Sequence, residues 1–207
     1  NLRLGLSYRS QIKHNSKGHI NIKPLDEKAE TLDDSNQKDV NASLSLSTPE
    51  VINFGVSYEA TNKLSFYINA TKTSWNVISD LKIKTSTSTT VTKLNYKDSM
   101  YYAFGSQYKI TKHLKGRAGF AKEQGVASDT WRSPRTPDSN RTIGALGVGY
   151  IFASTQIDLG FAHYMFDDMK VNLQESQYEG AKGRGDLSLD IKSSANVVML
   201  GVSYPSR

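Results

Sequence analysis

The side chains that could do chemistry in this sequence are few and dispersed. Four histidines stand at His14, His19, His113 and His163. His14 and His19 share one polar stretch and could hold a metal, but no further ligand type accompanies them, so solvated histidines are the simpler reading. Asp167 and Asp168, followed by Lys170, could bind calcium in a loop or could equally be solvated there. "EGAKGRGD" (179–186) is rich in glycine and contains the adhesive tripeptide "RGD", yet a phosphate loop needs a strand before it and a helix after it. There are no cysteines, which removes disulfide frameworks, thiol nucleophiles and cysteine-ligated metals together. No Ser/His/Asp set can be assembled. The expectation is therefore of a protein that is not an enzyme and needs neither cofactor nor metal. The remaining chemistry is that of cations, which pair well with the carboxylate of an amphipathic acid. Which cations could do so depends on the elements that carry them.

Those elements have a period of two. Ile52, Phe54, Val56 and Tyr58 alternate with Asn53, Gly55 and Ser57. Leu64, Phe66, Ile68 and Ala70 alternate with Ser65, Tyr67, Asn69 and Thr71. Tyr102, Phe104, Tyr108 and Ile110 oppose Tyr101, Ala103, Gly105, Gln107 and Lys109. The pattern returns with Leu146, Val148, Tyr150 and Phe152, with Ile157, Leu159 and Phe161, and with Val198, Leu200, Val202 and Tyr204. The opening Leu2, Leu4, Leu6 and Tyr8 show it too, and 114–122 shows it most weakly. The spacing predicts an all-β chain of about eight strands with no helix. Hydrophobic residues make up 37% of it, and no run approaches the roughly 18 apolar residues of a membrane helix. The opening "NLRLGLSY" already reads as strand, so the chain looks like a mature or truncated piece.

The connections alternate in length. Short ones fall at 59–63, 111–115 and 153–156. Long polar ones fall at about 10–42, 76–98, 122–141 and 166–195. Short turns on one side, long loops on the other, and apolar-out, polar-in strands are the pattern of an antiparallel transmembrane β-barrel of the outer membrane. The extended stretches 41–48 and 81–96 read as continuations of the strands above the membrane. Parity sets Glu50 and Lys72 outward near the external rim and His163 on the lipid-facing parity there.

A Gly-x-x-Tyr unit closes four strands on the short-turn side: "GVSY" (55–58), "GSQY" (105–108), "GVGY" (147–150) and "GVSY" (201–204). Tyr58, Tyr108, Tyr150 and Tyr204 then supply a periplasmic aromatic girdle, with apolar ring in lipid and hydroxyl in water. Gly55, Gly105, Gly147 and Gly201 face the lumen, where a missing side chain leaves room. Tyr8 ends a strand running the other way and stands outside this set.

The net charge is +6, but Lys and Arg are scattered, without the dense run that would suggest nucleic acid. Parity turns Arg3, Arg9, Lys97, Lys109, Lys115, Arg117 and Arg141 inward. Lys97 in "YKDS" is the first candidate to meet a ligand carboxylate, with Arg141 in "PDSNR" second and Lys109 a further one. The alternative for Lys97 and Arg141 is that they pair with Asp98 and Asp138 and hold loops.

Several stretches resemble the FadL family of outer-membrane transporters for long-chain fatty acids and other hydrophobic compounds. They are "LGLSYRSQIKH" (4–14), "ASLSLSTPEVINFGVSYEATNKLSFYINATKTSW" (42–75), "YKDSMYYAFGSQYKIT" (96–111), "TPDSNRTIGALGVGYIF" (136–152) and "IDLGFAHYMF" (157–166). The resemblance spans nearly the whole chain and fits the C-terminal half of that family. It implies a fourteen-stranded monomeric barrel, plugged by an N-terminal hatch, of which 1–207 is a single segment lacking the hatch and the first strands. Ligand would be captured outside and pass by diffusion through a lumenal pocket. The family's aromatic C-terminus is replaced here by "GVSYPSR", which runs on to Arg207.

The expected function is thus passive uptake of long-chain fatty acids or other hydrophobic compounds across the bacterial outer membrane. The expected partners are that hydrophobic ligand, outer-membrane lipid and lipopolysaccharide, with no nucleic acid. A self-contained small barrel with a structural or adhesive role through its long loops is the alternative. The interior separates the two. An eight-stranded barrel is filled by its own side chains, and the glycines at 55, 105, 147, 149, 160 and 201 are too small to fill one.

Overall fold

The computed structural model of the chain describes residues 1–20, 40–86, 88–175 and 185–204. Among these residues the strands are β1 Leu2–Arg9, β2 Ile12–Ile20, β3 Val40–Thr48, β4 Val51–Glu59, β5 Leu64–Thr73, β6 Asp80–Thr85 and β7 Thr89–Lys93. They continue with β8 Ser99–Lys109, β9 Leu114–Glu123, β10 Arg141–Phe152, β11 Thr155–Phe166, β12 Met169–Leu173, β13 Leu187–Ile191 and β14 Ser194–Ser203. One short 3-10 turn, Trp75–Val77, follows β5.

Eight of the strands form one antiparallel sheet in the order β1-β4-β5-β8-β9-β10-β11-β14. These are the eight segments that carry the period-two pattern. The sheet is open, with β1 and β14 as its edges. One face carries Leu, Ile, Phe and Tyr that stay exposed, such as Leu146 at 66% and Leu200 at 74%. The other is more shielded, with Ala121 and Ala162 only 6% and 4% exposed. An apolar face left outward has no place in water, but a bilayer satisfies it.

The short turns are built by local side chains. Thr61 Oγ1 accepts from the N–H groups of Lys63 and Leu64 at 3.2 and 3.0 Å, and Thr111 Oγ1 accepts from His113 and Leu114 at the same distances. These hydroxyls tie the turn without a ladder partner. Between β10 and β11 the chain reverses in two residues, and Ala153 takes a φ of 53° to do so.

The long-loop side differs from the sequence reading in three ways. The polar stretch 10–42 contains β2, which runs in full register with β3 from Ile12↔Thr48 to Ile20↔Val40. "IKHNSKGHI" has too little apolar alternation to announce a strand, and its partner supplies the ladder. The stretch 41–48 prolongs its membrane strand as expected, since Ile12↔Thr48 continues the register of Arg9↔Val51, but β2 and β3 then group with β6 and β7 of 81–96 as a separate four-stranded sheet. Pro49, buried between β3 and β4 and lacking an N–H, marks that break. Finally, β12 and β13 make a two-stranded ribbon within 166–195.

The two most deeply buried apolar side chains lie on this side, with two further buried ones. Met169 and Val171 of β12 are 2% and 0% exposed, and Ile78 and Ala127 are each 8% exposed. In the main sheet, among the described residues, the buried apolar side chains are the methyls of Ala121 and Ala162.

Candidate functional site

At the long-loop end, "PDSNR" becomes a clamp. The Asp138 carboxylate accepts from the Val126 N–H at 2.5 Å and lies 3.6 Å from the Arg141 guanidinium. Ser139, 5% exposed, donates to the Asp167 carbonyl at 3.0 Å. Asn140 accepts from the Gly125 N–H at 3.0 Å and donates to the Asp167 carboxylate at 3.0 Å. Arg141 Nε donates to Glu123 at 2.8 Å. Gly125 is required by this close approach, because a Cβ there would stand 2.5 Å from the Ser139 carbonyl carbon. Four consecutive polar side chains thus join the ends of β9, β10 and β11.

Arg132 extends the clamp. Its guanidinium, on a residue only 5% exposed, pairs with Asp129 and donates to the carbonyls of Asp138 at 2.7 Å, Lys170 at 2.9 Å and Ala127 at 3.1 Å. A buried cation is tolerated only with such full pairing. The Lys170 carbonyl belongs to β12, so Arg132 ties the β9–β10 loop to the β11–β14 loop. Neither the alternation nor any residue type pointed to Arg132. Its only sign was a charge standing in a loop beside Trp131.

Below the clamp, the face opposite the apolar series is graded by row. The outermost row is Tyr101, Glu123, Arg141 and Phe166. Two rows deeper, Gly105, Gly119, Ala145 and Ala162 stand side by side across four strands. No side chain in that belt exceeds a methyl group. Toward the short turns the face becomes polar. Arg117 Nη1 meets Asp158 at 2.5 Å, Arg117 Nε reaches Gln107 at 3.0 Å, and Gln156 Nε2 reaches Asp158 at 2.6 Å. Lys115 Nζ lies 3.4 Å from Gln156. Gly149 makes space for this network, since a Cβ there would collide with the Asp158 carboxylate and stand 3.2 Å from Arg117 Nη1. Parity had placed Lys115, Arg117 and Asp158 on this face, but not their union. Belt and network border one open groove of about 670 Å³.

The structure separates the three candidate ligand cations. Arg141 stands at the outer rim, with its guanidinium spent on Glu123 and Asp138. Lys97 precedes β8 by two residues and is exposed. Its N–H donates to the Val126 carbonyl at 2.9 Å. Asp98, its expected partner, instead lies 3.6 Å from Lys72 and accepts from the Asn76 N–H at 3.2 Å. Lys109 lies at the far end of β8, a strand about 33 Å long at 3.3–3.4 Å per residue, where its N–H donates to the Lys63 carbonyl at 2.8 Å. No single carboxylate can meet all three.

Tyr58, Tyr108 and Tyr150 are each about half exposed on the apolar face at the short-turn ends, and Tyr204 is 72% exposed. Tyr8 lies at the opposite end, where its hydroxyl donates to Glu50 at 3.2 Å. Gly55, Gly105, Gly147 and Gly201 fall on the opposite face. A Cβ on any of them would meet its neighbours at 3.4 Å or more, which is ordinary contact. Local packing does not demand glycine at these four. His163, on the apolar face, lies 2.7 Å from Asn196 Oδ1, and Asp168 pairs with Lys192 at 3.2 Å. Residues 179–184 of the "RGD" stretch, and Arg207, lie outside the described residues.

The family model for outer membrane protein transport proteins (OMPP1/FadL/TodX) matches residues 1–205. The chain belongs to the OMPP1/FadL/TodX family. It is 28% identical over 210 residues to a 47 kDa outer membrane protein of Pasteurella multocida, covering 98% of this chain and 46% of that protein. The crystal structure of a Pseudomonas aeruginosa FadL homologue superposes with a TM-score of 0.86 at 26% identity, covering 98% of this chain and 49% of the other. The toluene transporter TodX of P. putida shares the fold, with a TM-score of 0.57 at 13% identity. The chain therefore spans about half the length of the relatives it matches, and its open sheet is the corresponding part of a FadL-family β-barrel. This family places it in the bacterial outer membrane.

Proposed function

We propose that this chain forms the C-terminal half of a barrel that carries hydrophobic compounds, long-chain fatty acids among them, across the outer membrane by diffusion. The observation that carries the reading is the small-residue belt of Gly105, Gly119, Ala145 and Ala162 on the face away from lipid, below a largely apolar row of Ala103, Ala121, Ile143 and Tyr164 and above a row that includes the polar Gln107 and Arg117. Such a wall leaves lumenal space that eight strands alone would not need. The rest of the polypeptide supplies about six further strands, pairing on β1 and β14, and a hatch inside. The protein works as a monomer without catalysis. Tyr58, Tyr108, Tyr150 and Tyr204 form its periplasmic girdle among lipid headgroups, with lipopolysaccharide around the external rim. Gly55, Gly105, Gly147 and Gly201 keep the lumen open. Of the three cations, Lys97 is the one to meet a fatty-acid carboxylate, because Arg141 is held in the clamp and Lys109 lies at the far end.

The test is uptake of labelled oleate by cells lacking their own fatty-acid porin and expressing the full-length polypeptide. Uptake above the empty-vector rate supports the reading. Uptake equal to it, with folded barrel in the outer membrane, contradicts it.

A further inference from the structure

The inner face carries an excess of cations at its short-turn end. Lys109 of β8 and Lys115 of β9 are direct partners in the register. Alternation puts both on the inner face, next to the row of Gln107 and Arg117. Lys63, just before β5, joins them, since its carbonyl accepts from the Lys109 N–H at 2.8 Å. Lys63 and Lys109 are exposed and Lys115 is half-buried. Residues directly opposite across two strands have Cβ atoms about 4.5–5.5 Å apart, and like charges so placed are destabilising.

The carboxylates closest to this row are engaged. Asp158 stands in it, beyond Gly149, but is held by Arg117 at 2.5 Å and by Gln156 at 2.6 Å. Glu59, level with Gln107 in the neighbouring row, is held by Arg3 at 3.3 Å and Asn1 at 3.1 Å. Lys115 Nζ has only the neutral Gln156 amide oxygen, at 3.4 Å, among the described residues. Among those residues Lys63, Lys109 and Lys115 have no carboxylate within ion-pair distance. A diffusing ligand would offset their repulsion only while it passed. The repulsion is constant, so a fixed counter-charge answers it better. The chain covers 46% and 49% of two relatives it matches, which leaves a second half of such a polypeptide to bring that charge.

We propose that Lys109 and Lys115, with Lys63 beside them, are one side of an ionic seam. The other side is one or more Asp or Glu carboxylates in the part of the same polypeptide outside this chain. The seam fastens that part to the wall of β8 and β9 at the periplasmic end of the lumen. This rests on the reading that the rest of the polypeptide places a hatch inside the barrel, and it assigns where on the wall the hatch is held and by what charge.

Full-length protein in lipid nanodiscs is treated with a water-soluble carbodiimide, which joins a lysine amine to a carboxylate in contact with it. Mass spectrometry should find Lys109 or Lys115 joined to an Asp or Glu outside residues 1–207. No cross-link, or cross-links only to Glu59 or Asp158, overturn the seam. A cross-link that saturating oleate abolishes also overturns it, because the lysines then serve the ligand. In planar bilayers the Lys109→Ala/Lys115→Ala variant should pass ions about two- to fivefold more often than wild type, the scale of a lost solvent-accessible ion pair. Lys109→Arg/Lys115→Arg keeps the charge and should behave as wild type. Wild-type conductance in the alanine variant, with folded barrel by heat-modifiable gel mobility, overturns the seam. Oleate uptake by cells separates this proposal from the transport reading. Uptake without the cross-link removes the seam alone, and the cross-link without uptake supports the seam and removes the transport reading alone.

Discussion

At the residue scale, glycine has two distinct uses on the inner face. Gly149 yields to a neighbour: its missing Cβ admits the Arg117–Asp158 pair. Gly201, on β14 at the other side of Asp158, leaves its nearest potential contact, Asp158 Cβ, at 3.7 Å. Gly149→Ala should therefore part the ion pair and destabilise the folded barrel by about 1–3 kcal/mol, the usual cost of overpacking. Gly201→Ala should leave the urea midpoint of refolding nearly unchanged. Equal effects would remove the distinction. The sequence alone gave both glycines the same inward parity. It could not show which of them adjoins a charge pair, because Arg117 and Asp158 are 41 residues apart. The same gap affected "PDSNR". Its polar residues were legible as special, but two of their partners, Gly125 and Val126, carried no mark, and a third, Asp167, stood out only as a possible calcium ligand. Arg141 pairs with Asp138, as the alternative to ligand binding anticipated, and also with Glu123, a partner the sequence did not single out.

At the scale of elements, alternation was a sound guide wherever a strand faces lipid. All eight strands of the main sheet were legible, since an apolar side chain at every second position has one physical solution. Of the strands in the loops, β3, β6 and β7 fall in stretches that read as extended, whereas β2, β12 and β13 were not legible, because they face no bilayer and need no apolar series. Leu159 and Leu200 lie on the apolar face and stand opposite each other in register. Arginine at either should cost about 2–4 kcal/mol if the site is near mid-bilayer, whereas a polar residue in place of Met199 on the inner face should be tolerated. Folding efficiency into vesicles checks this, and equal loss on both parities would reject the assignment. The loop clamp makes a second prediction. Arg132→Ala leaves three carbonyls without their donor, at about 1–3 kcal/mol for a buried unsatisfied group. Limited proteolysis on whole cells should then cut 124–140 and 167–173 faster while the strands stay protected. An unchanged cleavage rate would mean the loops are held by other contacts.

At the scale of the whole molecule, the loop asymmetry fixes the orientation in the membrane. Cysteines placed at Thr130 or Arg135 should react with impermeant maleimide on intact cells. Cysteines at Asn62 or Lys112, in the short turns, should react only after the outer membrane is opened. The reverse pattern would invert the topology. The most direct test of the account concerns which face the ligand travels along. Gly119 and Ala145 lie side by side in the inner belt, and Ala118 lies one residue away on the lipid face. Tryptophan at Gly119 or Ala145 fills the belt, whereas tryptophan at Ala118 points into the bilayer. Oleate uptake by cells carrying the full-length protein should fall sharply for Gly119→Trp and Ala145→Trp and hold for Ala118→Trp, with all three folded by gel mobility. Uptake unaffected by the inner pair, or reduced equally by all three, would contradict a route along this wall.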